Sequence, residues 1–131
     1  MFPTFVHLFE DAADTLLRLK AQGYALGILT NGPAVQQHRK IDLAGLRHIV
    51  DLVMVSGEEG VAKPQAEYFR RAAARLGLAP SQCLMVGDHP QNDIEGALSV
   101  GMKAVFIDTT HPSAPMSVPT IHTLSDVLNY V

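Results

Sequence analysis

The chain has 131 residues, 47% of them hydrophobic, and a formal net charge of −3; that is enough for one domain with a real core, and it offers no basic face to nucleic acid. A single cysteine, Cys83, excludes an intramolecular disulfide and fits a reducing compartment. No apolar run approaches the ~20 residues that span a bilayer, and the opening MFPTFVHLFEDAAD lacks the basic n-region of a signal peptide. The expectation is a soluble cytoplasmic protein with neither membrane nor nucleic acid among its partners.

In chain order, EDAADTLLRLKAQG (10–23) places apolar residues at Ala13, Leu16, Leu17 and Leu19 between an acidic start and a basic end. That charge order suits the helix dipole, and Gly23 follows as a stop. YALGILT (24–30) is a compact apolar run and reads as a buried strand. PAVQQHRKIDLAGL (33–46) opens with Pro at a helix start, and VDLVMVS (50–56) is a second strand. PQAEYFRRAAARLGL (64–78) is a helix with Phe69, Ala72, Ala73 and Leu76 on one face and Gly77 at its end. QCLMVGD (82–88) is a third strand, PQNDIEGALSVG (90–101) a helix and KAVFID (103–108) a fourth strand. HPSAPMSVPT (111–120) is rich in Pro and Ser and reads as loop, and the tail can start a helix at Thr123 or Ser125. There is no internal repeat and no sign of a second domain.

Strands alternating with helices imply right-handed crossovers and a parallel sheet. The strands are apolar throughout, as a sheet covered on both faces requires. Ligands of such sheets bind outside the carboxyl ends of the strands. Three strand ends carry polar residues there: TNG, SGEEGVAKP and GDHPQND. Asp88 and Asp93 make a plausible hard-cation site, because Mg²⁺ takes oxygen ligands and only one or two protein carboxylates. Thr30, Asn31 and Gly32 supply a hydroxyl and a turn with exposed N–H groups before a helix, a phosphate cradle, and Lys63 adds a positive charge. Together they describe a site that holds and neutralises a phosphoryl group.

Each residue also has a plainer reading. Asp88 can cap the helix near Pro90, and Asp93 can be a first-turn acid that complements the dipole. Thr30 can be a turn residue, and Lys63 a solvated loop lysine. Convergence of all four on one sheet edge favours the site. The six histidines have no metal-ligand spacing and read as surface residues, although His89 abuts Asp88. Cys83 reads as core. GEEGVAK fails the P-loop spacing, and the NG at 31–32 precedes a helix rather than a strand, so it is no hairpin signal.

LGILTNG, EEGVAKPQAEYF and VGDHPQNDIEGALSVGMKAVFI resemble the haloacid-dehalogenase-like (HAD) hydrolases, in their phosphatase-like branch, from about residue 9 to 108. The resemblance implies a Rossmann-like α/β fold, a parallel sheet flanked by helices. It makes Thr30 the second-motif hydroxyl that binds the phosphoryl group, helped by the Asn31 backbone. It makes Lys63 the third-motif lysine that steadies charge, Asp88 the Mg²⁺ ligand, and Asp93 the second acid supporting the metal directly or through water. The implied substrate is a small phosphorylated metabolite.

The family's first motif, an apolar strand ending in D-x-D with the nucleophilic Asp, is not found. Asp11 and Asp14 are spaced D-x-x-D and fall in a helical pattern. The expectation is therefore a single HAD-like core, residues 9–131, lacking its first strand and cap, with residues 1–8 a linker remnant. In the family sheet that strand lies between those ending at Thr30 and Gly87. Two strand edges should then be unpaired, to be filled by TFVHLF (4–9) or by another copy, which implies a homo-oligomer or a rearranged sheet. Three activities follow: the core of a Mg²⁺-dependent phosphomonoester hydrolase whose nucleophile comes from elsewhere, a chain inactive alone; a non-catalytic Mg²⁺- and phosphate-binding or oligomerisation module; and, disfavoured by motif order, a phospho-receiver. Dehalogenation is a minor option, since it needs no metal.

Overall fold

The computed structural model describes residues 12–108 and 117–131. Helix α1 (Ala12–Ala21) leads into strand β1 (Gly27–Thr30), helix α2 (Ala34–Leu43) and strand β2 (Leu52–Val55). A single turn, α3 (Ser56–Glu59), and helix α4 (Ala66–Arg75) lead to strand β3 (Leu84–Gly87). A π-helical segment, Pro90–Glu95, runs directly into α5 (Gly96–Ser99). Strand β4 (Lys103–Ile107), strand β5 (Thr120–Ile121) and a 3₁₀ helix, Leu124–Tyr130, complete the chain. The strands and helices expected from the sequence are present with shorter ends. Three details differ: α3 and β5 lie in stretches that read as loop, and the tail is 3₁₀ rather than α. Most of the expected loop at 111–120 lies outside the described residues.

All strand pairs are parallel, with β1 on β2 (Thr30 opposite Val55), β3 on β4 (Gly87 opposite Phe106) and β4 on β5. Their carboxyl ends therefore share one edge. The period-2 alternation of strands sends neighbours into two cores. Ile28, Val86, Val105 and Ile107 pack with Leu16, Leu19 and Ile41 of α1 and α2 and with Leu124 and Val127. Leu29, Met85, Ala104 and Phe106 pack on the opposite face with Phe69, Ala72 and Ala73 of α4 and with Ile94 and Ala97. The continuous apolar runs are thus explained by helices on both faces. Cys83 is 4% exposed and belongs to the second core.

Among the described residues, the strands form two sheets, β1–β2 and β3–β4–β5, with no hydrogen-bonded pairing between β1 and β3. Those are the two strands whose inner edges the sequence leaves open. The segment TFVHLF lies outside the described residues. Among the described residues no helix is long and apolar enough to cross a membrane.

Candidate active site

At the shared carboxyl edge lies a cavity of about 290 Å³, lined by Asn31, Gln37, Lys40, Lys63, Asp88, His89, Asn92 and Asp93. Polar burial concentrates here: Gln37, Lys63 and Asp93, which line the cavity, and Thr30, which lies behind Gln37 and is not among its lining residues, are each at most 9% exposed. Burying such groups costs free energy unless they are paired, and each has a partner.

Lys63 is 5% exposed, so the solvated-loop reading does not hold. Its Nζ donates to Asp93 Oδ1 at 2.6 Å and to the Leu29 carbonyl at 3.2 Å. The ammonium therefore spans the interval between β1 and the π-helical segment after β3. Its backbone is fixed as well: Lys63 N–H donates to Asn31 Oδ1 (3.0 Å), and Asn31 Nδ2 donates back to the Lys63 carbonyl (2.9 Å). The Asn31 side chain is thus spent on placing Lys63. The Lys63–Pro64 peptide is cis.

Asp93 is 2% exposed, and its second oxygen, Oδ2, accepts the His89 N–H at 3.0 Å. It is more than a first-turn acid, because it ties the GDHP turn to Lys63. A Cβ at position 87 would overlap the Asp93 side chain, which is why the strand ends in glycine. Asp88 is half-buried on the cavity wall. The N-cap position of the following helix is His89, its Nδ1 accepting from Asn92 N–H at 3.0 Å.

Thr30 ends β1 and is 3% exposed, with Gln37 Nε2 on its hydroxyl at 2.6 Å. Its carbonyl and that of Met54 receive the Tyr68 hydroxyl, at 3.2 and 2.7 Å. Burial pushes the Tyr68 phenol well above its ordinary range. Gly32 departs from expectation. Its N–H donates to Ser56 Oγ at 2.9 Å, so it is not an open cradle amide, and it lines a separate depression with Ser56 and Gln65. Its φ of +146° and the 3.0 Å from an added Cβ to Gln37 explain the glycine.

Two further expectations can be placed. Asp14 lies on the exposed face of α1, 3.2 Å from Arg18, while Asp11 is outside the described residues. His38 is not a free surface residue: it is half-buried between Glu58 (2.5 Å) and Arg47 (2.8 Å). Gln37, Lys40 and Asn92 are cavity residues that the motifs did not reveal. Among the described residues no cluster of three or more His, Cys, Asp or Glu side chains is placed to hold a metal ion. A cation site here would rest on Asp88 and Asp93 with water, a donor set that suits Mg²⁺.

A family model described as haloacid dehalogenase-like hydrolase matches residues 2–101. The chain belongs to that family. It is 40% identical over 115 residues to the phosphoserine phosphatase of Thermus thermophilus, covering 87% of this chain and 46% of that protein. Among solved structures, a HAD phosphatase from Thermococcus onnurineus superposes with a TM-score of 0.87 at 36% identity, covering 93% of this chain and 57% of the other. A putative HAD hydrolase, YfnB of Bacillus subtilis, solved with magnesium, gives a TM-score of 0.84 at 25% identity, covering 93% and 55%. The HAD chain described here spans about half the length of the curated relatives it matches.

Proposed function

We propose that these residues form the phosphoryl- and metal-binding part of a Mg²⁺-dependent phosphomonoesterase acting on a small phosphorylated metabolite. The observation that carries this reading is Lys63, a buried ammonium held between Leu29 and Asp93 on the wall of a cavity that also exposes Asp88. A buried cation beside a cavity at the strand ends is placed to neutralise an anion. Residues 9–131 act as one HAD-like core unit.

In the complete enzyme an aspartate attacks phosphorus. The carboxylate–phosphorus bond forms, the ester bond breaks with a proton passing to the departing alcohol, and water then releases inorganic phosphate from the aspartyl-phosphate. Thr30 donates its hydroxyl to a phosphoryl oxygen, and the Asn31 backbone lies beside it. Lys63 balances the charge of nucleophile and phosphoryl group. Asp88, with Asp93 behind it, would hold Mg²⁺, which supplies electrostatic activation of the phosphoryl group when bound.

The 131 residues contain no D-x-D, which favours a second reading for this chain alone: it binds Mg²⁺ and phosphate without turnover. Among the described residues the inner edges of β1 and β3 have no strand partner, which favours completion by a strand, from another copy or from this chain's TFVHLF, since unpaired apolar strands seek partners. A clean monomer by light scattering with β1 and β3 still unpaired would count against that completion. The lone, buried Cys83 suits the reducing cytoplasm.

The test is hydrolysis of an aryl phosphate by the purified chain, with and without Mg²⁺, alongside calorimetric titration of Mg²⁺ into wild type and Asp88→Asn. The reading expects Mg²⁺ binding that Asp88→Asn abolishes, and no turnover. Unchanged binding in Asp88→Asn would remove Asp88 as ligand. Turnover requiring Mg²⁺ and Asp88 would mean that the chain carries its own nucleophile.

A further inference from the structure

The Thr30 hydroxyl is the one proposed phosphoryl ligand whose hydrogen can point in several directions, and the structure restricts it. Gln37 stands on α2, seven residues after Thr30, and is 9% exposed. One amide atom of its side chain lies 2.6 Å from Thr30 Oγ1 and 3.1 Å from the Asn31 carbonyl oxygen. A carbonyl oxygen only accepts, so that atom is the nitrogen, and both of its hydrogens are committed. Thr30 Oγ1 therefore accepts from Gln37. It donates to no other group among the described residues, and its own hydrogen is left for a ligand.

We infer that Gln37 is a positioning residue: it holds the Thr30 hydroxyl in the acceptor role toward α2 and so presents its proton to an anion at the strand end. Without Gln37 the hydroxyl is free to turn to a nearby carbonyl, and the anion loses a pre-oriented donor. Gly32 belongs to the same device. With a positive φ and no Cβ, it leaves the space that the Gln37 side chain crosses. The inference rests on the reading of Thr30 as a phosphoryl ligand.

A double-mutant cycle on inorganic phosphate binding tests it, by calorimetry on the full chain with folding checked by circular dichroism. Gln37→Met removes the donor without adding charge, and Thr30→Val removes the hydroxyl. The expected result is that Gln37→Met weakens phosphate binding about three- to tenfold in wild type and has no effect in Thr30→Val. Gln37→Leu, of different shape, should behave alike and stands in if Gln37→Met misfolds. Equal losses in both backgrounds, as from a general packing defect, would overturn the inference, and so would unchanged affinity in wild type. A folded wild type that takes no phosphate would bring down the phosphoryl-site reading itself, and this inference with it.

Discussion

Replacing Lys63 by Met should destabilise the fold more than any surface charge change. The two side chains of the Lys63–Asp93 pair are 3% and 2% exposed and meet at 2.6 Å. Removing one partner from such a pair leaves an uncompensated buried charge and costs about 3–5 kcal/mol. The loss of the Leu29 carbonyl's hydrogen bond falls within that range. A domain of this size has about 5–15 kcal/mol in total, so Lys63→Met should remain folded with little reserve. With a urea m-value of about 2 kcal/mol/M, its midpoint should fall by about 1.5–2.5 M, read by circular dichroism at fixed protein concentration. Asp93→Leu alone should cost a similar amount. The double variant should cost less than the two singles summed, because it buries no lone charge; the His89 amide would still lack its acceptor. A loss below about 1 kcal/mol, or strict additivity in the double variant, would refute the description of a desolvated, mutually dependent pair.

Gly87→Ala should cost about 1–3 kcal/mol by overpacking, because the new methyl collides with an Asp93 side chain that cannot yield without releasing Lys63 or His89; urea melts showing no loss would mean that the turn is slack. Tyr68→Phe should cost about 1–2 kcal/mol near neutral pH, by leaving the Met54 and Thr30 carbonyls without their phenol donor. Because the folded-state pKa of Tyr68 is raised, its contribution is fully present below the ordinary phenol pKa of about 10 and is lost as pH rises above it. The stability gap between wild type and Tyr68→Phe should therefore narrow between about pH 9 and 11, and a gap that stays constant would contradict the buried, un-ionised phenol.

The sheet and its covering helices were legible because the apolar runs sit at strand length between amphipathic helices, and α2 and α4 carry their own boundary signals. The one-turn α3 and the two-residue β5 were not, because periodicity needs more residues than either contains. Nor does periodicity show that 90–95 widens to a π-helix. That form goes with Asp93 reaching back to the His89 amide while the Asp93 and Ile94 N–H groups share the His89 carbonyl. Gln37 did leave a trace. Ala34, Gln37, Ile41 and Ala44 recur at helical spacing on the inner face of α2, so a polar side chain stood in an apolar stripe. Such a position signals a buried hydrogen bond, although the sequence alone does not name its partner. Ser56 left none, since nothing marks a serine as the acceptor for an amide 24 positions away.

The same contacts that shape the cavity also join the two halves of the domain. Among the described residues β1 and β3 do not pair, and Lys63 couples them at this edge, to Leu29 on one side and to Asp93 on the other. Asn31 in turn locks the Lys63 backbone to the end of β1. These bonds are few but buried, and a buried charged pair whose ammonium is held by two acceptors is geometrically exacting. A parallel strand that pairs with both β1 and β3 would supply a ladder between them and bring its own carboxyl end to Thr30, Lys63 and Asp88. The step that pairs such a strand would then also complete the proposed phosphoryl site, so stability and phosphate affinity should rise together on pairing.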